Sequence, residues 1–510
     1  MELVYLWIEN YKNIEKQGFT FSPRFDCKYD PETNILEINE KKDYVNIFPD
    51  NINVTAIVGK NGAGKSNLLH LIIGSFYNNH KNWRKIKNSL LVFKNDSKFI
   101  IYHLYNNTDK SIRVSCNNFE YILRNYLDDN LKKVYYLLID FSISQPNIYN
   151  SSNYKKFYSL EPSRFYKTSG GGSIYSKIEP SSFDSNMKVN LIYFYWYLFK
   201  YNLIEILEDF NLPFLKQLKC FSKKNIGKVV KEKYFKHLKE LKAKVLGFDF
   251  EKMENFNEIN CFKRIIDLEE LNENDFNYLE DLLIFLDIEL VNANSDLYFY
   301  KMSTGQQYLL SYFGLLLRYY VSKYKNDSFK NAIVLIDEVE SALHPQWQKN
   351  FLFYILNFIN KLKLNDFFKQ IIIATHSPFI LSDMPKENII FMKDGKNVSD
   401  GVDIETFGGN IHTLLTHGFF MEDGLMGEYA KEKINEVINY IRVKKGEKNL
   451  QTSIKDDKEA EFIINCIGEP FLKEKLKEIF FGTLSELDIL KKRKEELEKR
   501  IRELENVKSK

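Results

Sequence analysis

Cysteine is scarce in this chain and nowhere paired. Cys27, Cys116, Cys220, Cys261 and Cys466 stand singly among 510 residues. Without a C-x-x-C spacing, neither a disulfide framework nor a zinc hook is expected, and the protein reads as reduced and cytosolic. Long apolar runs are missing too: none reaches the roughly eighteen residues a membrane span requires. The start, Met1-Glu2-Leu3-Val4-Tyr5, lacks the basic n-region of a secretory signal. Strong charge of one sign is also absent, the formal net charge being +3. What is present is apolar mass. Hydrophobic residues make up 44% and aromatics 15%, enough for a sizeable core, and the length allows two or three domains.

Against that background, Gly59-Lys60-Asn61-Gly62-Ala63-Gly64-Lys65-Ser66 fits the phosphate-binding loop pattern G-x-x-x-x-G-K-[ST] without a mismatch. The apolar run Val54 to Val58 precedes it, and Asn67 to Ile73 reads as a buried helix, the context this motif needs. Glycine lets the backbone wrap an anion and aim its N–H groups inward, and the helix N-terminus adds a positive dipole end. The expected nucleotide-binding set is Gly59, Asn61, Gly62, Gly64, Lys65, Ser66 and Asn67. Lys65 would reach the β- and γ-phosphates of ATP, with the Ser66 hydroxyl on Mg²⁺.

A second apolar run, Ala332 to Ile336, leads directly into Asp337-Glu338, as a strand buried on both faces would. Asp337 at its carboxyl end suits the Mg²⁺ shell, and Glu338 suits general-base activation of water. A third run, Gln370 to Ala374, ends in Thr375-His376. That position, after another core strand, points to a γ-phosphate sensor rather than a structural histidine. Ser303-Thr304-Gly305-Gln306-Gln307 resembles N-cap chemistry before a helix whose apolar face is Leu309, Leu310, Phe313, Leu316, Leu317 and Tyr320.

Lying between the phosphate loop and Asp337-Glu338, Ser303 to Gln307 also looks like the signature motif of the ABC-type ATPases. The resemblance covers roughly residues 1–75 and 295–395. It implies that Ser303, Gly305 and Gln306 close on the ATP held by another subunit, hence a homodimer or higher homo-oligomer. It also implies a glutamine after the strand Val134 to Ile139 that completes the Mg²⁺ shell, for which Gln145 is the nearest candidate. The run Asp337-Glu338-Val339-Glu340-Ser341-Ala342-Leu343-His344-Pro345-Gln346-Trp347-Gln348 resembles the D-E-P-E-x-x-L-H-P-x-x-Q stretch of OLD-like and SMC/RecF-like ATPases, with Val339 in place of proline. Leu6 to Ile14 is similar to the opening strand of that group. By that resemblance Lys12 lies near the nucleotide; a solvated strand-end lysine is the alternative.

The expected fold is α/β. It is an ABC-type ATPase head, a P-loop sheet with an antiparallel N-terminal β-subdomain, plus an inserted helical lobe and a helical C-terminal tail. The expected domains are the N-terminal half of the head over 1–145, a flexible loop over 146–186 and a helical lobe over 187–294. The C-terminal half of the head follows over 295–400, then a helical region over 401–510. Tyr193, Tyr195, Trp196 and Phe199 read as helix core, and Phe419-Phe420 as an exposed docking pair. Leu487, Leu490, Leu497, Ile501 and Leu504 take a and d positions of a short coiled coil. Lys216 to Lys244 carries eleven lysines against Glu232 and Glu240, a local +9 in 29 residues. That stripe is either a sequence-independent nucleic-acid footprint or a solvated face.

OLD proteins append a metal-dependent nuclease, which needs carboxylates on successive strands after the head. Only Asp456-Asp457 offers such a step, and it lacks strand context. ATPases of this build resemble the partner subunits of bacterial anti-phage systems, Septu-type or PARIS-type, that act with a separate nuclease or toxin effector. The alternative is a stand-alone RecF/SMC-like DNA repair or maintenance ATPase. A transporter ATPase fits the Leu343-His344-Pro345 run poorly.

Overall fold

The computed structural model describes residues 1–76, 89–95, 98–104, 112–116, 119–124, 134–140, 147–150, 181–201, 203–209, 215–222, 232, 235–236, 238–240, 244–245, 248–254, 263–272, 275, 286–291, 302–320, 331–341, 343–419, 426–484, 494 and 498. The chain divides into two compact units, Met1–Phe420 and Met421–Lys510.

The first unit opens with β1 (Glu2–Tyr11), β2 (Ile14–Thr20), β3 (Phe25–Asp30), β4 (Ile35–Glu40) and β5 (Asn53–Gly59), and β5 runs through the phosphate loop into helix α1 (Lys65–Phe76). Next come β6 (Ser89–Asn95), β7 (Lys98–Leu104), β8 (Arg113–Cys116), β9 (Glu120–Arg124), β10 (Val134–Asp140) and β11 (Asn147–Asn150). The middle of the chain supplies α2 (Ser181–Lys200), β12 (Gln217–Ser222), β13 (Lys244–Val245), β14 (Phe248–Asp249), β15 (Lys263–Asp267) and β16 (Leu286–Val291). Then follow α3 (Thr304–Tyr319), β17 (Asn331–Asp337), α4 (Pro345–Lys361), β18 (Phe368–Thr375), α5 (Pro378–Ser382), β19 (Ile389–Lys393) and β20 (Lys396–Asn397).

The centre is a seven-stranded sheet in the order β11-β10-β17-β18-β5-β19-β20. Its β10, β17, β18, β5 and β19 are parallel, with β11 and β20 added antiparallel at the edges. Strands buried on both faces need unbroken apolar runs, and β17 is buried at every position. One face, through Ile57, Ile333, Leu335, Ile372 and Ile390, packs on Leu68, Leu69 and Ile72 of α1. The opposite face, through Val54, Ala56, Val58, Val334, Ile336, Ile371 and Ile373, meets the helices that carry Phe194, Phe313, Phe351 and Phe358. Leu3, Leu6, Ile8, Leu91 and Phe93 of the five-stranded sheet β2-β1-β6-β7-β9 cover α1 from outside. The mixed α/β architecture with a parallel sheet is therefore present as expected.

Buried amides lock these layers together. Gln370 of β18, fully buried, accepts the Leu3 N–H (2.9 Å) and donates to the Leu3 carbonyl (2.9 Å). A buried amide so paired is a register pin, since loss of one partner would strand the other away from water. Asn388 likewise donates to the Val54 carbonyl (2.8 Å).

Two expectations need correction. The described residues of 187–294 are not all helical: after α2, whose Tyr193, Tyr195 and Trp196 are core as expected, β12, β15 and β16 form an antiparallel sheet. The cause is period two, with Leu218 and Cys220 buried and Lys219 on the opposite face. The loop expected over 146–186 contains β11 and the start of α2; β11 is tied to β10 by antiparallel backbone pairing. Gln145, Gly170-Gly171-Gly172, most of Lys216 to Lys244, and the heptad residues Leu487, Leu490, Leu497, Ile501 and Leu504 lie outside the described residues.

The second unit contains α6 (Glu428–Lys444), α7 (Asp457–Cys466) and α8 (Pro470–Phe481), which share a small core of Val437, Ile441, Ala460, Ile464, Leu476 and Phe480. Asp456 caps α7 through the Glu459 N–H (2.9 Å), and Asp457 accepts from the Tyr440 hydroxyl (2.8 Å). Among the described residues no helix is long and apolar enough to cross a membrane.

Candidate nucleotide site at the carboxyl edge of the parallel sheet

Strand register assembles the site. Thr375 pairs with Val58, Asp337 with Ala374, and Met392 with Gly59, so the loops after β5, β17 and β18 leave the sheet at one edge. Ligands of open parallel sheets bind outside that carboxyl edge. Gly62 and Gly64 have φ of 79° and 104°, and a methyl at Gly59 would stand 2.2 Å from the Met392 carbonyl oxygen. The loop thus turns where side chains are disfavoured and packs closely on β19. Its outer side is braced by the β1–β2 turn. Asn13 donates to the Gly62 carbonyl (3.0 Å) and accepts from Asn67 (2.9 Å), while Lys12 donates to Asn67 Oδ1 (2.7 Å). Gly395 completes the cradle by donating to the Ala63 carbonyl (3.0 Å).

Lys65 is buried at the first position of α1. Its ammonium donates to the carbonyls of Gly59 (3.1 Å) and Lys60 (3.2 Å) and lies 2.6 Å from His376 Nε2. Burial lowers its pKa, opposed by the nearby carboxylates of Asp337, Glu338 and Glu340. Burial, and then the charge of Lys65, push His376 down to about 4. The imidazole is therefore neutral near pH 7 and accepts from Lys65 through Nε2.

Beyond Asp337 the chain turns sharply. Glu338 takes a left-handed φ of 51°, and its N–H donates to the Ala374 carbonyl (3.0 Å), carrying the β17–β18 ladder one step past the strand. A 3₁₀ turn, Val339–Ser341, follows, with Val339 buried. His344 caps α4 by accepting the Gln346 N–H at Nδ1 (3.3 Å), with Pro345 in the first turn, where its missing N–H costs nothing. Lys65, Asp337, Glu338 and His376, all singled out from sequence, thus converge. Among the described residues no three His, Cys, Asp or Glu cluster as a metal cage. Mg²⁺ in a nucleotide site characteristically uses one or two protein oxygens plus phosphates and water; Ser66 beside the loop and buried Asp337 fit that donor set.

A family model for an AAA ATPase domain matches residues 1–381, which span this whole site. The chain belongs to that family. The retron Vc95 probable ATPase of Vibrio cholerae serotype O1 biovar El Tor is 23% identical over 409 residues, 69% of this chain and 74% of that protein. Protein ea59 of Escherichia phage lambda is 28% identical over 172 residues, 33% of this chain and 30% of ea59. The Septu protein PtuA of Bacillus thuringiensis is 30% identical over 100 residues, 19% of this chain and 24% of PtuA. The last two matches span less than a third of those relatives.

Elsewhere in this AAA ATPase domain, Ser303, Gly305 and Gln306 form the N-terminus of α3. Ser303 Oγ accepts the Gln306 N–H (3.3 Å), and Gln306 Oε1 accepts the Ser303 N–H (3.1 Å), a capping box. Ser303 is exposed, and its side-chain bonds among the described residues are to Gln306 rather than to the Lys65–His376 cluster. Two residues at the site, Asn13 and Glu340, were missed from sequence, and Phe419 was misplaced. Asn13 holds the phosphate loop, and its signal was adjacency to Lys12. Glu340 accepts from the His376 backbone and the Thr375 hydroxyl; it stood unassigned within the quoted acidic run. Phe419, expected to be exposed, is buried with its ring 6.4 Å from that of His376.

Proposed function

We propose that the chain binds and hydrolyses ATP at this edge. The convergence of Lys65, Asp337, Glu338 and His376 at the ends of adjacent parallel strands carries the reading. Lys65 and the loop amides take the β- and γ-phosphates; Ser66 and Asp337 hold Mg²⁺, which supplies charge neutralisation there. Glu338 takes a proton from the attacking water, and His376 senses the γ-phosphate. Lys12, exposed at the β1–β2 turn, donates to Asn67 and so reaches the first turn of α1 beside the phosphate loop. Replacing Lys65 with alanine should abolish ATP binding in an equilibrium assay; wild-type affinity in that variant would remove the proposal.

The ABC-type arrangement is the finer part of this reading. Ser303, exposed at the capped N-terminus of α3 and bonded among the described residues to Gln306 rather than to the Lys65–His376 cluster, supports a surface that closes on ATP held by a second copy. Similarity to a Septu protein and a retron probable ATPase supports control of a separate nuclease or toxin effector in anti-phage defence. Co-purification with the product of the adjacent gene tests this. A chain that binds no neighbour product and instead protects DNA ends would favour the RecF/SMC-like maintenance alternative. In either case, phosphate contacts by Lys216 to Lys244 would be sequence-independent and salt-sensitive.

A further inference from the structure

The loops after β17 and β18 are joined by a closed circuit of hydrogen bonds that begins and ends on Glu340. Its Oε1 accepts the His376 backbone N–H, and its Oε2 accepts the Thr375 hydroxyl (2.7 Å). Thr375 Oγ1 in turn accepts the Ser377 N–H (2.9 Å), and the Ser377 hydroxyl donates to Gln348 Oε1 (2.7 Å). Gln348 Nε2 returns to the carbonyls of Leu343 (2.8 Å) and Glu340 (3.3 Å). Two donors aimed at two separate oxygens require a side chain with two acceptors, which a carboxylate has and an amide has not. The location argues against a purely stabilising role. Burial, and to a lesser degree the neighbouring Glu338 carboxylate, raise the pKa of Glu340 against the hydrogen bonds from His376 and Thr375, so a carboxylate at this place is costly to keep. What the carboxylate does hold is the one main-chain group that fixes where the His376 ring begins.

We propose that Glu340 is a positioning residue for His376: it clamps the His376 main chain and Thr375 so that the imidazole Nε2 stays in reach of Lys65 and the nucleotide's terminal phosphate. The proposal rests on the ATPase reading and adds to it the residue that aims the sensor. Because the ring is aimed rather than supplied by Glu340, its loss should fall on turnover and spare nucleotide binding. Misplacement of a reacting group by about 1 Å is worth roughly 10²-fold.

The test is steady-state hydrolysis of Mg²⁺·ATP by the full chain carrying Glu340→Ala, Glu340→Gln, Thr375→Val or Thr375→Ser. Glu340→Ala should lower kcat about 10- to 100-fold with KM for ATP within about threefold. Glu340→Gln, retaining one acceptor, should fall between it and wild type. Thr375→Ser should recover most of the rate lost in Thr375→Val. The double variant Glu340→Ala/Thr375→Val should be no slower than Glu340→Ala alone, since both break one circuit. A kcat for Glu340→Ala within twofold of wild type, or additive losses in the double variant, would overturn the positioning role. Should Glu340→Ala melt below the assay temperature, the isosteric Glu340→Gln and the two Thr375 variants decide by the same criteria. Lys65→Ala assayed alongside separates the two readings. Hydrolysis surviving Lys65→Ala removes the ATPase site itself; hydrolysis lost there but kept in Glu340→Ala removes only the clamp.

Discussion

The Lys65 ammonium and His376 Nε2 lie 2.6 Å apart although 311 positions separate them in the chain. The contact spans the two loops that flank the β5–β18 pair, so the first turn of α1 and the end of β18 are held as one piece. It is a bond between a cation and a neutral base, which fixes how it responds to acid.

For His376 the folded-state value of about 4 lies below the ordinary 6.5. The unfolded chain therefore binds more protons between those values, and the stability contributed by neutral His376 is complete above pH 6.5 and lost as pH falls through about 4. Glutamine can still accept from Lys65 and does not titrate. The melting-temperature advantage of wild type over His376→Gln should shrink on going from about pH 7.5 to about pH 4.5. A difference that stays constant across that range would contradict a neutral, half-buried histidine.

Glu338→Gln keeps the shape and the left-handed backbone but loses the base. ATP binding should remain near wild type while turnover falls by roughly 10²–10⁴-fold. Single-turnover kinetics with pre-bound nucleotide would check this, and a rate within a few-fold of wild type would place the base elsewhere.

Gly395 touches both the phosphate loop and the β1–β2 turn, and a methyl there would stand 1.8 Å from the Asn13 carbonyl oxygen. Its φ of +79° adds backbone strain. Gly395→Ala should push the β1–β2 turn off the loop, costing about 1–3 kcal/mol in denaturant unfolding, as overpacked sites typically do. ATP affinity should fall with it. Gly62→Ala has open space around its methyl and only the strain of φ +79°, so it should be the milder of the two. The reverse ranking would mean that the brace does not hold the loop.

Ser303→Ala removes one cap acceptor and should cost about 1 kcal/mol of stability with ATP binding intact. Ser303→Arg adds bulk and charge at the exposed end of α3 and should block assembly and hydrolysis, again with ATP binding intact. Sedimentation in ATP, using Glu338→Gln to hold the nucleotide, distinguishes the two. Monomers throughout, for wild type as well, would exclude the nucleotide-sandwich dimer.

How much was readable depended on whether a residue acts along the chain or across it. Gly59 to Ser66 and Asp337-Glu338 declare themselves because loop, strand and helix are consecutive, and β5, β17, β18 and β19 are mostly apolar. Asn13, Glu340 and Gln348 act through bonds to segments brought close by folding, and local pattern carries no trace of those partners. Phe419 was misread because turn residues follow it, whereas its burial comes from packing beside His376. In β12 the lysines dominated the reading, while the informative signal was the alternation of Leu218 and Cys220 beneath them.

The amide of Gln370 that grips Leu3 also sets a timetable. Leu3 leaves the ribosome 367 residues ahead of its partner, an interval of roughly 20–70 s at ordinary rates of synthesis. In that time β1 can pair with β2 and β6, both made within the first 95 residues, but β18 does not yet exist to receive it. The early sheet and α1 must therefore wait as a half-shell, without the face of Ile333, Leu335, Ile372 and Ile390 that completes their core, and the ATPase domain closes only after its last strands emerge. Such a delay exposes a newly made chain to aggregation, so its yield in cells should depend on chaperone supply more than its finished stability would suggest.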